Sequence, residues 1–203
     1  MQPKCHGDVI IAQYGEITLA GMSTSRAADV FRRIDALEYA WCLRLNRGCR
    51  KDAIRSVFAV ISRLGDGVFW YSLMAMLPVL YGKSGLQVAI RMAAVGLAGL
   101  LLYKWLKANL VRERPCVSLI GIMRGTAPLD RYSFPSGHTL HAVSFSVLLI
   151  AGFPELVWLC APFALLVAMS RVVLGLHYPS DVVAGAMIGA ALAWISLLLA
   201  PLG

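Results

Sequence analysis

Five apolar runs dominate this chain, at about residues 57–82, 86–105, 138–153, 155–174 and 181–200. The hydrocarbon core of a bilayer is about 30 Å thick and takes roughly 20 apolar residues per helical crossing, so each run reads as a crossing. The third, HTLHAVSFSVLLIAGF, is short and holds two histidines near its start. None alternates apolar with polar residues, which argues against the strands of an outer-membrane barrel. Core helices of a soluble protein are the other reading of such runs. With 59% hydrophobic and only 15% charged residues among 203, too little polar chain remains to cover that core. The expected fold is therefore all-α: a polytopic membrane helix bundle of five transmembrane helices.

Residues 1–56 differ from the rest. They are mixed and basic, with no run long enough to span and no pattern of a secretory signal. Within them ADVFRRIDALEYAWCLRL sets Val30, Ile34, Leu37, Trp41 and Leu45 at helical spacing opposite Arg32, Arg33 and Arg44. That pattern predicts an N-terminal amphipathic helix, lying along the membrane surface or packed on its own bundle. The expected organisation is a basic N-terminal region, 1–56, with an interfacial helix, followed by a transmembrane domain, 57–203. Cys5, Cys42, Cys49, Cys116 and Cys160 form neither a metal-ligand pattern nor a disulfide framework and read as packing thiols. Gly185 and Gly189 in GAMIG suit either helix association or tight packing inside the bundle, which leaves oligomeric state open.

Following the chain through five crossings brings its polar residues to one membrane face, the face of the N-terminus. KANLVRERP supplies Lys107 and Arg114 after the second crossing, SFPSGHTLH opens the third, and SRVVLGLHYPSD carries Arg171, His177 and Asp181 between the fourth and fifth. Arginine forks and a lysine charge suit phosphate oxygens. Ser136 can cap a helix start whose free N–H groups bind anions, and Gly137 admits a ligand close to the backbone. Singly, each has a plainer reading: Arg171 snorkels to headgroups, Lys107 and Arg114 anchor the cytoplasmic side, and Ser136 only caps. The histidines tilt the balance toward chemistry. Neutral imidazole attacks phosphorus and titrates near neutrality, so His138 and His177 beside a phosphate site can divide attack and proton transfer. Asp181 can orient His177 while complementing a helix N-terminus. His141, one turn after His138, reads as a packing residue.

Lys107 to Pro115, Pro135 to His138 and Ser170 to Asp181 together resemble the three signature motifs of the type 2 phosphatidic acid phosphatase superfamily. Its members are integral-membrane lipid phosphatases that share a core with vanadium haloperoxidases. The resemblance implies that His177 attacks the substrate phosphorus to give a phosphohistidine, oriented by Asp181. His138 would then protonate the leaving lipid oxygen. Lys107, Arg114, Ser136, Gly137 and Arg171 would hold the phosphoryl oxygens, with no metal and no cofactor. The chain departs from the six-crossing arrangement common in the family, because no first crossing is found. The catalytic face and the N-terminus are thus expected on one side.

Lys and Arg crowd that face, and only Lys83 and Arg91 belong to the other. The positive-inside rule puts the site toward the cytoplasm, against the periplasmic or luminal orientation commoner in the family. The short chain points to a bacterial inner membrane. The expected partners are the bilayer and a lipid phosphate, such as phosphatidic acid, phosphatidylglycerol phosphate or a polyprenyl phosphate or diphosphate, and not nucleic acid. The loop from Cys116 to Ser133, with Arg124, Asp130 and Arg131, is a candidate for headgroup selection or an ordinary connector. A lipid phosphotransferase would use the same intermediate, and a non-catalytic lipid-phosphate binder would keep the same scaffold.

Overall fold

The computed structural model describes residues 26–127 and 131–200, and every regular element among them is helical. Cys5 and Asp130 lie outside the described residues. In chain order the α-helices are α1 (Arg26–Asn46), α2 (Asp52–Leu64), α3 (Gly67–Asn109), α4 (Pro115–Ser118), α5 (Gly137–Gly152), α6 (Val157–Val173) and α7 (Pro179–Leu199). Short 3₁₀ turns precede α2, at Arg47–Arg50, and α6, at Pro154–Leu156. By length and composition α3, α7 and the segment Pro154–Val173 can each cross a membrane, and α5 is a shorter apolar helix.

The 43 residues of α3 are two helices joined at a fold-back, not one continuous helix. Gly82 sits at φ 57°, ψ −131°, a left-handed conformation that residues with a Cβ rarely adopt. The chain folds back there so tightly that a Cβ on Gly85 would overlap the Leu77 carbonyl, eight positions earlier in the sequence. The five expected crossings therefore correspond to residues 67–81, 83–109, α5, α6 and α7. The first run needs a correction. Its early part, 57–64, belongs to α2, and the chain breaks at Gly65 and Asp66 before the spanning helix begins at Gly67. Hydropathy averaged over 57–82 passes across that two-residue interruption, because Ile61, Leu64 and Val68 lie on either side of it.

Trp70, Leu77, Val88, Met92, Phe145, Leu148 and Val167 form the centre of the bundle. Lipid tails are as apolar as leucine, so helices in a bilayer associate through close van der Waals fit and not through hydrophobic sorting. Glycines provide that fit here. A Cβ on Gly185 of α7 would come within 2.5 Å of the Ser136 carbonyl at the start of α5, and Gly189 meets the backbone at Leu140. The GAMIG pair thus packs inside the bundle and fixes α7 against the N-terminus of α5. Among the described residues Cys42, Cys49, Cys116 and Cys160 are free thiols.

Helix α1 uses two faces. Asp35, Glu38, Tyr39, Cys42 and Asn46 follow one another at helical spacing and turn toward the loops of the bundle. Asn46 closes a three-bond bracket, donating to the carbonyls of Met123 and Val173 at 2.9 Å each and accepting from Met123 N at 2.7 Å. Val30, Leu37, Trp41 and Leu45 remain exposed. The sequence pattern allowed docking or a surface position; α1 docks by its polar and small-residue face and leaves its apolar face outward.

Candidate active site

Residues 170–178 run from the last turn of α6 to the start of α7, and all nine are buried. Gly175 makes this possible. Its φ of +71° ends α6 in a left-handed cap, after which Leu176 N and His177 N both donate to the Arg171 carbonyl, at 3.0 and 3.1 Å. A Cβ there would lie 2.7 Å from the Met123 carbonyl, so the loop carrying Cys116 to Gly125 can close over it only at a glycine. Cys116 N and Gly125 N complete the seam by donating to Gly175 and Leu174 carbonyls, each at 3.0 Å. A local conformational requirement thereby sets the depth of His177.

His177 is 1% exposed. Arg114 reaches it with Nη1 at 3.2 Å from Nε2, and the same Nη1 donates to the Leu176 carbonyl at 2.7 Å. A guanidinium only donates, so Nε2 presents its lone pair and the ring proton of the neutral form sits on Nδ1. Asp181 Oδ2 lies 3.5 Å from that nitrogen. Burial, followed by the charges of Arg171, Arg114, Lys107 and His138, holds the His177 pKa well below the usual imidazole value. The ring is therefore neutral at physiological pH, with an unprotonated Nε2 facing cations.

The expected phosphate ligands come from four segments, and Arg171, Arg114 and Lys107 are near enough to act on the His177 ring by their charge. Lys107 ends α3, buried, with Nζ 5.3 Å from the centre of the Tyr103 ring. Tyr103 in turn borders Gly137, where an added Cβ would meet its ring at 3.4 Å. Ser136 caps α5 by accepting from Thr139 N, and its own N–H donates to the Asp181 carbonyl at 3.1 Å, tying the first turns of α5 and α7 together. Arg171, also buried, bonds Ser62 at the end of α2. His138 opens the first turn of α5, with Nε2 2.6 Å from Asp66 Oδ1. All eight residues singled out in the sequence thus converge on the end of the bundle that carries α1 and α2. His141 faces elsewhere, stacked on Phe145 with ring centres 5.4 Å apart.

Two polar residues of this region escaped sequence reasoning. Asp66 is one: the hydrogen bond from His138 holds its carboxyl below the ordinary range, so it stands ionised against the imidazole. The signal was an acid between two glycines, GDG, inside a mostly apolar run. Arg112 is the other. It lies within the motif that supplied Lys107 and Arg114, yet its guanidinium binds Asp35, Glu38, Ser180 and Asp181. Removing one partner of such a buried ionic network costs on the order of 3–5 kcal/mol. Among the described residues no group of three His, Cys, Asp or Glu side chains is disposed to hold a metal ion.

Comparison with known proteins identifies the family of the chain. The family model of the PAP2 superfamily matches residues 87–202. An undecaprenyl-diphosphatase of Sulfolobus acidocaldarius is 43% identical over 72 residues, covering 35% of this chain and 33% of that protein. A decaprenylphosphoryl-5-phosphoribose phosphatase of Mycolicibacterium smegmatis is 45% identical over 76 residues, 36% of this chain and 39% of that one. The aligned region thus spans only about a third to two-fifths of these relatives. The crystal structure of Aquifex aeolicus LpxE superimposes with a TM-score of 0.71 at 25% identity, covering 80% of this chain and 95% of that chain. An all-helical bundle of membrane-spanning length and a family match over more than half of the sequence place the chain in the PAP2 superfamily, to which it belongs.

Proposed function

We propose that this protein is an integral-membrane lipid phosphatase that works through a phosphohistidine on His177 and needs no metal. The observation that carries the reading is the setting of His177: a buried ring with Nε2 3.2 Å from Arg114 Nη1 and Nδ1 3.5 Å from Asp181 Oδ2, under the charges of Arg171, Arg114 and Lys107. Nε2 attacks phosphorus as the bond to the lipid oxygen breaks, and His138 gives that oxygen a proton. Asp181 stabilises the positive charge that the His177 ring acquires. Water then attacks the phosphohistidine, which releases phosphate and restores the imidazole. Cations and helix N–H groups fixed in a water-poor site stabilise charge on the phosphoryl oxygens far better than the same groups in water.

The names of the two curated relatives suggest the substrate class: a phosphate or diphosphate on a long isoprenoid anchor. Purified protein should release phosphate from polyprenyl diphosphate, lipid A or phosphatidic acid with EDTA present. Activity that appears only on adding a divalent ion would overturn the metal-free mechanism. Product analysis with acceptor lipid added separates hydrolysis from phosphotransfer, which the same residues would support.

The site also has a proposed side. Even without Lys107, Arg112, Arg114 and Arg171, which are buried, basic residues outnumber those of the opposite end, and this favours the cytoplasmic face. The exposed Val30, Leu37, Trp41 and Leu45 favour α1 lying in the surface of that same leaflet. One labelling experiment reads both placements. In a cysteine-free background, Val117→Cys should resist an impermeant thiol reagent in intact cells and react in inverted vesicles, while Trp41→Cys stays lipid-shielded in both. Labelling of Val117→Cys from outside intact cells reverses the side, and ready aqueous labelling of Trp41→Cys removes α1 from the membrane.

A further inference from the structure

One buried cation of the site is held by carboxylates. The Arg112 side chain is 1% exposed and lies across the Tyr178 ring, 3.9 Å from its centre. Its Nη1 donates to Asp181 Oδ1 at 2.5 Å and Ser180 Oγ at 2.7 Å. Nε and Nη2 hold Asp35 Oδ1 at 2.9 and 2.6 Å, and Nη2 also reaches Glu38 Oε2 at 2.9 Å. Three carboxylates around one guanidinium repel a phosphate, so Arg112 is not an oxyanion ligand. Two of those carboxylates belong to α1, which is 77 and 74 positions distant in sequence from Arg112.

We infer that Arg112 is a positioning residue for the nucleophile, and that α1 is a working part of the catalytic apparatus because Asp35 and Glu38 hold Arg112 in place. The inference rests on the reading of His177 given above. The chain of contacts is short. Arg112 fixes Oδ1 of Asp181, which leaves Oδ2 to accept from Tyr178 N at 2.9 Å and to face His177 Nδ1. Glu38 secures the same turn from the other side, accepting from Ser180 N at 2.6 Å and Ser180 Oγ at 2.7 Å. The carboxylates of α1 also divide the Arg112 charge. Asp181 is then not fully neutralised by Arg112 and keeps negative charge for the imidazolium that forms during attack. Uncompensated, Arg112 would draw that charge away from His177.

The test uses the full chain in detergent with polyprenyl diphosphate, lipid A and phosphatidic acid as probes. Arg112→Ala is expected to lower kcat about 100-fold with KM changed no more than about two-fold, since positioning acts in the transition state. Millimolar guanidinium should restore about ten-fold of that loss by filling the vacated site, and urea should not. Asp35→Asn with Glu38→Gln, which leaves Arg112 in place, should lower kcat about ten-fold. Wild-type kcat in Arg112→Ala, a loss confined to KM, or a loss that guanidinium leaves unrepaired would each overturn the inference. Should Arg112→Ala not fold, Arg112→Lys decides: it keeps the charge but not the fork, so about a ten-fold fall in kcat supports the inference and wild-type kcat sinks it. A wild-type protein inactive on every probe removes the phosphatase reading and this inference with it. An active wild type confines the question to Arg112.

Discussion

His177→Ala is expected to reduce phosphate release by about 10⁴-fold or more while leaving the protein folded, because loss of a nucleophile removes the reaction path itself. The size follows from the surroundings of the ring. Arg114, Lys107 and Arg171 remain in the variant, so substrate still binds and KM should change little. Water would have to attack the phosphorus directly, in place of a nucleophile already held against it. The substitution also deletes a ring wedged between Arg114 and Asp181, but the main-chain bonds that shape its loop, His177 N to Arg171 O and Gly175 O to Cys116 N, do not involve the side chain. Rapid acid-stable work-up is unsuitable for a phosphohistidine. The direct readout is base-stable, acid-labile phosphate label on the wild-type chain and none on the variant. Substantial turnover by His177→Ala, or label that persists in it, rejects His177 as the nucleophile.

The sequence carried the spanning helices and the cationic face because both depend on residue type and spacing along the chain. Lys107, Arg114, Ser136, His138, Arg171, His177 and Asp181 fall at helix ends, and counting crossings is enough to bring those ends to one side. The fold-back at Gly82 was legible for the same reason, as a polar interruption, GKSG, between two apolar runs. What stayed hidden depends on tertiary partners. Arg112 and Arg114 are chemically identical and two residues apart, yet one is surrounded by carboxylates and the other touches the His177 imidazole. Nothing local distinguishes them, since the acids that claim Arg112 come from α1. For the same reason the apolar stripe of α1 announced an amphipathic helix without revealing that Asp35, Glu38, Cys42 and Asn46 form its docking face. Asp66 was passed over because a window long enough to detect a crossing averages a single acid away. In a bundle whose interior is apolar, a lone carboxylate at a helix junction is informative in itself.

That carboxylate bears on the second large effect. With Asp66 occupying Nε2 of His138 at 2.6 Å, Nδ1 is the ring nitrogen left to serve the leaving group, and the ionised Asp66 is the counter-charge that an imidazolium there would meet. His138→Ala should therefore lower kcat by about 10²–10⁴-fold on lipid phosphates, the usual range for removing a positioned general acid. The loss should depend on the leaving group. An alkoxide leaving from a lipid phosphate is strongly basic and needs the proton, whereas p-nitrophenolate leaves without it. On p-nitrophenyl phosphate the variant should keep most of the wild-type rate, and Asp66→Asn should show a weaker form of the same selectivity because the imidazolium loses its counter-charge. Equal losses on both substrates would mean that His138 holds phosphate oxygens instead of delivering the proton, and the Asp66 contact would then serve only to join α3 to α5.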